Sequence, residues 1–239
     1  MARIAEGRVR ALSRRFPALA SLGARQIGKS TLAHLAFPDY TYADLEDPND
    51  FARVSGDPQF FISHAPRLVI DEAQRLPGLV PVLRSLLDRE PRRRVVLLGS
   101  ASPGLLKGVS ESLTGRVGVF ELAGISVAEH DAESLWIQGA FPRIHWGRPR
   151  ARPEEWYPSY LRTTLEQDIP QLGFRISSLR LRTLLTMVAH AQGGICNLSE
   201  LGGSLGVNYH SVAHFLDIFE GTFPIRRLAP YAASSVSAW

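Results

Sequence analysis

The residues best suited to chemistry form a glycine-rich stretch that ends in a lysine and a serine. It reads Gly23-Ala24-Arg25-Gln26-Ile27-Gly28-Lys29-Ser30, the spacing of a phosphate-binding P-loop. Glycine permits backbone angles that a Cβ atom forbids, so the loop can turn its N–H groups toward an anion. A helix that begins near Lys29 adds the positive end of its dipole. We therefore predict that Gly23–Thr31 binds a nucleotide, with the Lys29 amine on its β- and γ-phosphates.

Two adjacent acids supply the complementary chemistry. An apolar, β-branched run, Leu68-Val69-Ile70, is followed directly by Asp71 and Glu72, which is the Walker B pattern. A buried strand would deliver the Asp71 carboxylate beside a Mg²⁺ ion that the Ser30 hydroxyl also ligates. Glu72 would then polarise the water that attacks the γ-phosphate.

The elements that must position these groups alternate along the chain. Short apolar runs predict strands at residues 18–22, 40–44, 67–71, 95–98 and 117–122. Helix-like sequence lies between them, including the stretch from Pro48 to His64. This alternation predicts a mostly parallel α/β sheet.

The remainder of the chain changes character after residue 124. We predict a P-loop core at residues 1–124, a helical linker or lid at 125–175, a winged-helix-like domain at 176–231 and a disordered tail at 232–239. In the third of these segments, helix–turn–helix spacing places Tyr209, His210, Ser211 and His214 on a recognition helix. Phe223–Leu228 fits a wing strand. The recognition helix contains no Arg or Lys, the residues that phosphate contacts favour.

Composition narrows the classes of protein. The chain has 239 residues, 45% of them hydrophobic and 21% charged, with a formal net charge of +4, which is typical of a folded globular protein. No run approaches 18 apolar residues, so no transmembrane segment is expected. Cys196 is the single cysteine, so no internal disulfide forms and a cytoplasmic location is expected. The modest basic excess permits nucleic-acid binding without demonstrating it.

The ordered motifs resemble a prokaryotic family of AAA-type P-loop ATPases. The matching stretches are residues 23–30, 70–77, 98–103, 112–116, 160–168 and 209–227. Members join an N-terminal P-loop domain to a winged helix and a C-terminal domain of unknown function, and the resemblance places that last domain beyond the end of this chain. It implies an additional-strand core, in which another strand separates the Walker B strand from the P-loop strand.

The resemblance also suggests two further site residues. Ser100, at the end of a strand, would be a sensor of the γ-phosphate, with Ser102 as an alternative candidate or a helix N-cap. Arg116 would be a sensor or arginine finger. It would act either on the nucleotide of its own chain or on that of a neighbour in a homo-oligomer.

The leading hypothesis is a Mg²⁺-dependent ATPase that binds ATP and ADP and switches its domain arrangement with nucleotide state. The alternative is a DNA-binding regulatory module whose nucleotide site is vestigial or structural. A third hypothesis, a nucleotide kinase, is disfavoured because Glu72 directly follows Asp71 and because the sequence shows no clear arginine-rich lid.

Overall fold

Five short runs of the chain form one parallel sheet in the computed structural model, which describes residues 3–100, 111–174, 176–222 and 224–229. The strands are β1 (Ala18–Leu22), β2 (Thr41–Asp44), β3 (Arg67–Asp71), β4 (Arg94–Gly99) and β5 (Val117–Glu121). Their order is β2-β3-β4-β1-β5, with every neighbouring pair parallel. β1 is buried throughout and β4 nearly so, as expected for strands covered on both faces. The predicted parallel sheet is confirmed, and β4 separates β3 from β1.

Helices surround this sheet and extend beyond it. In the first part of the chain they are α1 (Ala5–Arg15), α2 (Lys29–Ala36), α3 (Pro48–Gly56), α4 (Pro58–Ser63), α5 (Leu79–Arg89), α6 (Ala132–Gln138), α7 (Pro142–His145), α8 (Pro153–Thr163) and α9 (Ile169–Gln171). A 3₁₀ turn spans Ala73–Arg75, and a π-helical turn, Thr164–Asp168, joins α8 to α9. Later in the chain come α10 (Ser178–His190), α11 (Leu198–Leu205) and α12 (Tyr209–Gly221).

The helix-like stretch expected between residues 48 and 64 forms two helices, α3 and α4. Asp47 accepts from the N–H groups of Asn49 and Asp50 at the start of α3, and Asp57 accepts from Phe60 at the start of α4. In each case a proline occupies the first helical position, where its missing N–H costs nothing. The two Asp-Pro pairs are therefore two helix starts.

The chain divides into two compact units, Met1–Ser178 and Leu179–Trp239. In the second unit, Asn197 and Asn208 cap α11 and α12 with their side chains. Gly206 ends α11 with a φ of +64°. The predicted tail at 232–239 lies outside the described residues. No helix of the described chain is long and apolar enough to cross a membrane.

The expected wing strand is absent from residues 224–229, and Phe223 lies outside the described part of the chain. The Arg227 backbone N–H donates to the Glu220 carboxylate instead of to another strand, and its guanidinium pairs with Glu220 and Asp217. Side chains of α12 therefore hold this segment, and the part of it that is described forms no strand.

The Arg93 side chain connects α4 to the start of β4. It is 2% exposed, and its guanidinium donates to the carbonyl oxygens of Ile62, Ser63 and Ala65 and to the Glu90 carboxylate. The last carbonyls of a helix have no partner within the helix. The Ile62 oxygen also accepts from the Ala65 N–H, so Arg93 matters most for the carbonyl oxygens of Ser63 and Ala65.

We expect Arg93→Met to lower the free energy of unfolding by about 3 kcal/mol or more, because several buried acceptors lose their donor at once. Urea unfolding followed by circular dichroism measures the change. Arg92→Met alters the neighbouring exposed arginine and is expected to change stability by no more than about 0.5 kcal/mol. Equal stability of the two variants would contradict this role of Arg93.

Candidate functional site

The glycine-rich loop lies between the end of β1 and the start of α2, at the carboxyl edge of the sheet. Gly28 has a φ of +96° and immediately precedes α2, a conformation that glycine adopts without a steric penalty. A Cβ atom on Gly23 would lie 2.6 Å from the Leu122 carbonyl oxygen, just beyond β5. The motif therefore requires glycine at its two positions for different reasons. Gly28 adopts a left-handed backbone conformation, and Gly23 lies too close to a neighbouring carbonyl oxygen for a Cβ atom.

Lys29 is folded back onto this loop. Its Nζ donates to the carbonyl oxygens of Gly23 at 3.1 Å and Ala24 at 2.9 Å, and only 6% of the residue is exposed. Burial lowers the pKa of the Lys29 amine, while the nearby carboxylates of Glu72 and Asp71 oppose that shift. The Lys29 amine therefore lies close to the two acids at the end of β3, Asp71 and Glu72.

Asp71 ends β3 and is 4% exposed. Its Oδ1 accepts from the Glu72 backbone N–H at 2.9 Å, and its Oδ2 accepts from the Tyr42 hydroxyl. Burial and the contact with Asp71 raise the pKa of Tyr42, and the nearby Ser30 side chain opposes that shift. Ser30 and Asp71, which the sequence predicts as a pair, thus both lie close to the Tyr42 hydroxyl.

Tyr42 itself was not predicted as a site residue. It lies on β2, beside β3, with Val69 as its register partner, and its ring stacks on His34 of α2 at a centroid distance of 4.2 Å. No pattern in the sequence marks it, because its position depends on the order of the strands and on the packing of α2.

Glu72 follows directly in an unusual backbone conformation, with a φ of 51°. Positive φ is uncommon for residues other than glycine and is often found at functional sites. Burial raises the pKa of the Glu72 carboxyl, whereas the hydrogen bond from Gln74 and the charge of Lys29 oppose the shift. Glu72 therefore combines a left-handed backbone conformation with a partly desolvated side chain.

Gln74 joins Glu72 to Ser100. Its Nε2 donates to Glu72 Oε2 and, at 3.0 Å, to Ser100 Oγ. Its Oε1 is buried and has no hydrogen-bonding partner within the described chain. The sequence predicts Ser100 near the acids, and the structure brings them together through Gln74, which was not predicted. Ser102 lies outside the described residues.

The structure does not place Arg116 at this site. Its carbonyl oxygen accepts from the N–H of Ala18, the first residue of β1, and its guanidinium pairs with Asp88. It thus lies at the amino edge of the sheet, whereas the loop lies at the carboxyl edge. Five strand residues span roughly 16 Å, so the structure does not bring Arg116 to the loop of its own chain. Action on a neighbour's nucleotide stays a prediction.

Arg25 also departs from a simple phosphate-binding role. Its side chain pairs with Asp168 of the π-helical turn and with Glu46, which follows β2. Gln26 is exposed with a φ of 59°, while the side chains of Ala24 and Ile27 are buried. The middle of the loop is thus attached to the rest of the first unit.

A cavity of about 1130 Å³ extends from the loop to the segment between residues 142 and 168. The loop side contributes Arg25–Gln26, Gly28–Thr31 and Glu72, and the facing wall contributes residues of α7, α8 and the loop between them. Three arginines lie on that wall, Arg143, Arg148 and Arg150. The sequence analysis found no clear arginine-rich lid, because it interpreted the stretch that contains these three arginines as a linker.

In the second unit, the side chains proposed for a recognition helix are at least partly accessible. Tyr209, His210 and His214 of α12 are exposed, and Ser211 is half-buried. No Lys or Arg occurs on α12. The helices were predicted, but the winged-helix fold and its DNA contacts stay predictions.

Comparison with known proteins places this geometry in a family. A family model described as an AAA domain matches residues 15–130, and a model of a domain of unknown function (DUF8612) matches residues 129–238. The latter lies over the segments predicted as a linker, a winged helix and a tail.

Two curated relatives are similar over almost the whole chain. The uncharacterized proteins Mb2031c of Mycobacterium bovis and Rv2008c of Mycobacterium tuberculosis are each 39% identical over 97% of this chain and 54% of their own length. The chain therefore spans about half the length of the curated relatives it matches.

A solved structure shares the fold. The Walker-type ATPase PABY2304 of Pyrococcus abyssi superimposes with a TM-score of 0.57 over 92% of this chain and 89% of its own, at 15% identity. These findings support a prokaryotic AAA-type P-loop ATPase, with an AAA domain at residues 15–130 followed by a domain of unknown function.

Proposed function

We propose that the chain binds ATP and Mg²⁺ in this cavity and hydrolyses the γ-phosphate, with ADP as the product. The observation that carries the proposal is the convergence of Lys29, Ser30, Asp71 and Glu72 at the end of the parallel sheet. The loop amides and the start of α2 offer donors to the phosphates, and Lys29 exchanges its two carbonyl partners for phosphate oxygens.

The oxygen donors at this point suit a magnesium ion. Asp71 accepts from the Tyr42 hydroxyl and Ser30 lies close to the same hydroxyl, so their oxygens lie near one small volume. Mg²⁺ keeps several waters and uses few protein ligands. Ser30 and Asp71 would hold the ion, which would neutralise charge on the phosphates.

In this proposal, the remaining polar groups act on the attacking water. Glu72 accepts its proton, and burial of the carboxyl favours that basicity. Gln74 holds Glu72 and Ser100 in one hydrogen-bonded row, with Ser100 oriented toward the γ-phosphate. Hydrolysis would change the contacts of the loop with Asp168 and so switch the arrangement of the segments beyond residue 125.

The direct test is ATP turnover by the full chain, measured as phosphate release with Mg²⁺ and with excess EDTA. We expect ATP turnover only in the presence of the metal. We also expect calorimetry to show ATP binding, and ADP to compete with ATP for the site. Absence of both binding and turnover in the presence of Mg²⁺ would refute the proposal.

The alternative, a DNA-binding module, is left with little support from α12, which carries no cationic side chain. Titration of the full chain with duplex DNA at two salt concentrations tests it, since true phosphate contacts give a steep salt dependence. Tight, salt-dependent binding that is indifferent to ATP would favour the alternative.

Tyr42 gives a specific prediction for the metal site. Its hydroxyl, which lies close to Ser30, occupies the Asp71 oxygen that a cation needs. We expect Tyr42→Phe to tighten cation binding about tenfold, because the cation no longer competes with a donor to a buried carboxylate. Calorimetric titration of Mn²⁺ into the complex with a non-hydrolysable ATP analogue measures the change.

Tyr40→Phe serves as the matched control, because it removes a tyrosine hydroxyl just before β2 that lies near Ser13 and not near Asp71. Its Mn²⁺ affinity should equal that of the wild type. Weaker Mn²⁺ binding by Tyr42→Phe would show that the hydroxyl orients Asp71 for the cation and would contradict the competition.

A further inference from the structure

The wall of the cavity that faces the P-loop carries positive charge that no acid balances. Six cationic side chains line the cavity, Arg3, Arg25, Lys29, Arg143, Arg148 and Arg150, against three carboxylates, those of Glu46, Glu72 and Asp168. All three acids lie near the loop side, where Arg25 pairs with Glu46 and Asp168 and Glu72 accepts from Gln74. The excess of cations therefore falls on the facing wall.

Arg3 is already engaged elsewhere. Its guanidinium pairs with Glu129 and donates to the carbonyl oxygens of Ile27, Ala123 and Gly124. By contrast, no salt bridge or hydrogen bond from the side chains of Arg143, Arg148 or Arg150 is found within the described residues. These three guanidinium groups keep their donors for a ligand.

One tight loop supports all three. The Ala151 N–H donates to the Arg143 carbonyl oxygen at 3.2 Å, which closes the loop that carries Arg148 and Arg150. A Cβ atom on Gly147 would lie only 2.5 Å from that same carbonyl oxygen, so the close packing needs glycine. The bases of the three side chains are thus fixed relative to α7.

This loop adjoins the phosphate-binding loop. A Cβ atom built on Gly28 would lie 3.8 Å from Pro142 Cγ, the residue before Arg143. The cavity of about 1130 Å³ is also at or above the usual size of a small-ligand pocket, roughly 300–1,000 Å³. Space and positive charge therefore continue from the P-loop to the arginines.

We propose that Arg143, Arg148 and Arg150 form a second phosphate-binding subsite, opposite the P-loop, for a phosphoryl group. Guanidinium forks match the geometry of phosphate oxygens and bind them in pairs. The phosphoryl group comes either from the end of the nucleotide that the P-loop holds or from a second phosphorylated small molecule. The inference rests on the proposed nucleotide site but assigns residues that the P-loop chemistry does not use.

The experiment compares the full-length triple variant Arg143→Gln/Arg148→Gln/Arg150→Gln with the control Arg152→Gln. Arg152 belongs to the same segment but pairs with Glu155 and does not line the cavity. Because all three substituted side chains are exposed, both proteins should show the wild-type melting temperature. The single variant Arg148→Gln replaces the triple variant if the latter melts early.

Two titrations separate the sources of the phosphoryl group. If it is the end of the bound nucleotide, the triple variant binds ATP at least about tenfold more weakly, with a smaller loss for ADP. If it is a second molecule, the wild type saturated with a non-hydrolysable ATP analogue still binds inorganic pyrophosphate, and the triple variant does not. Wild-type affinities of the triple variant in both titrations would overturn the inference.

The same measurement in the Lys29→Ala variant distinguishes failure of the arginine subsite from failure of the proposed nucleotide site. Pyrophosphate binding that survives in Lys29→Ala and is lost when the three arginines are also changed supports the subsite, even if the chain binds no ATP. Conversely, ATP binding that needs Lys29 but ignores the arginines leaves the proposed function intact and removes the subsite.

Discussion

Glu72→Gln is expected to leave ATP binding nearly unchanged and to lower turnover by about 10²–10⁴, the usual contribution of a general base. The glutamine has the same size and keeps an oxygen that accepts from Gln74, so the row from Glu72 to Ser100 is retained. It cannot accept the proton of the attacking water. Calorimetry with ATP and single-turnover phosphate release measure the two effects separately.

The matched control is Glu46→Gln, which changes another acid of the same cavity. Glu46 pairs with the exposed part of Arg25, an interaction that contributes little in water, so turnover should remain close to that of the wild type. Equal turnover of Glu72→Gln and wild type would remove Glu72 from the chemistry. If Glu72→Gln instead failed to bind ATP, Glu72 would contribute to nucleotide binding and not only to the chemical step.

Local patterns in the sequence sufficed for the elements that hold the site. The run Ala18–Leu22 is buried along its whole length, and such runs between turns and helices are typical of central parallel strands. The glycines and Lys29 could be located because their spacing is imposed by backbone geometry within one loop. The acids could be located because they directly follow a buried strand.

Contacts made through tertiary structure could not be found in the same way. Tyr42 meets Asp71 because β2 lies beside β3, and Gln74 meets Ser100 because β4 lies on the other side. Their sequence separations of 29 and 26 residues carry no periodic signal. The basic loop around Arg148 read as a linker for the same reason, since only its packing against the P-loop makes it a cavity wall.

Strand direction explains why Arg116 lies away from the loop of its own chain. The residue precedes β5, and β5 runs parallel to β1, so the start of one strand cannot lie beside the end of the other. The sequence predicts the strand and the parallel sheet correctly. The direction of β5 in that sheet was therefore sufficient to place Arg116 away from its own chain's loop.

Lys29→Ala is expected to weaken ATP binding by about 10²–10⁴, because the amine would contact two phosphates and each charge-assisted hydrogen bond is worth about 1.5–3 kcal/mol. Arg25, the other cation of the loop, is held by Asp168 and Glu46 and so is not expected to replace the amine. Calorimetry with ATP and with a non-hydrolysable analogue measures the loss.

The same substitution tests whether the loop is built for a nucleotide or only for its own stability. In the absence of nucleotide, Lys29 satisfies the carbonyl oxygens of Gly23 and Ala24, so Lys29→Ala also removes two structural hydrogen bonds. If the amine served only these, the variant would melt earlier and its folded fraction would bind ATP normally. We expect the opposite balance, a small change in melting temperature with a large loss of affinity, because water in the open cavity can replace the amine at the carbonyls but cannot replace its charge at the phosphates.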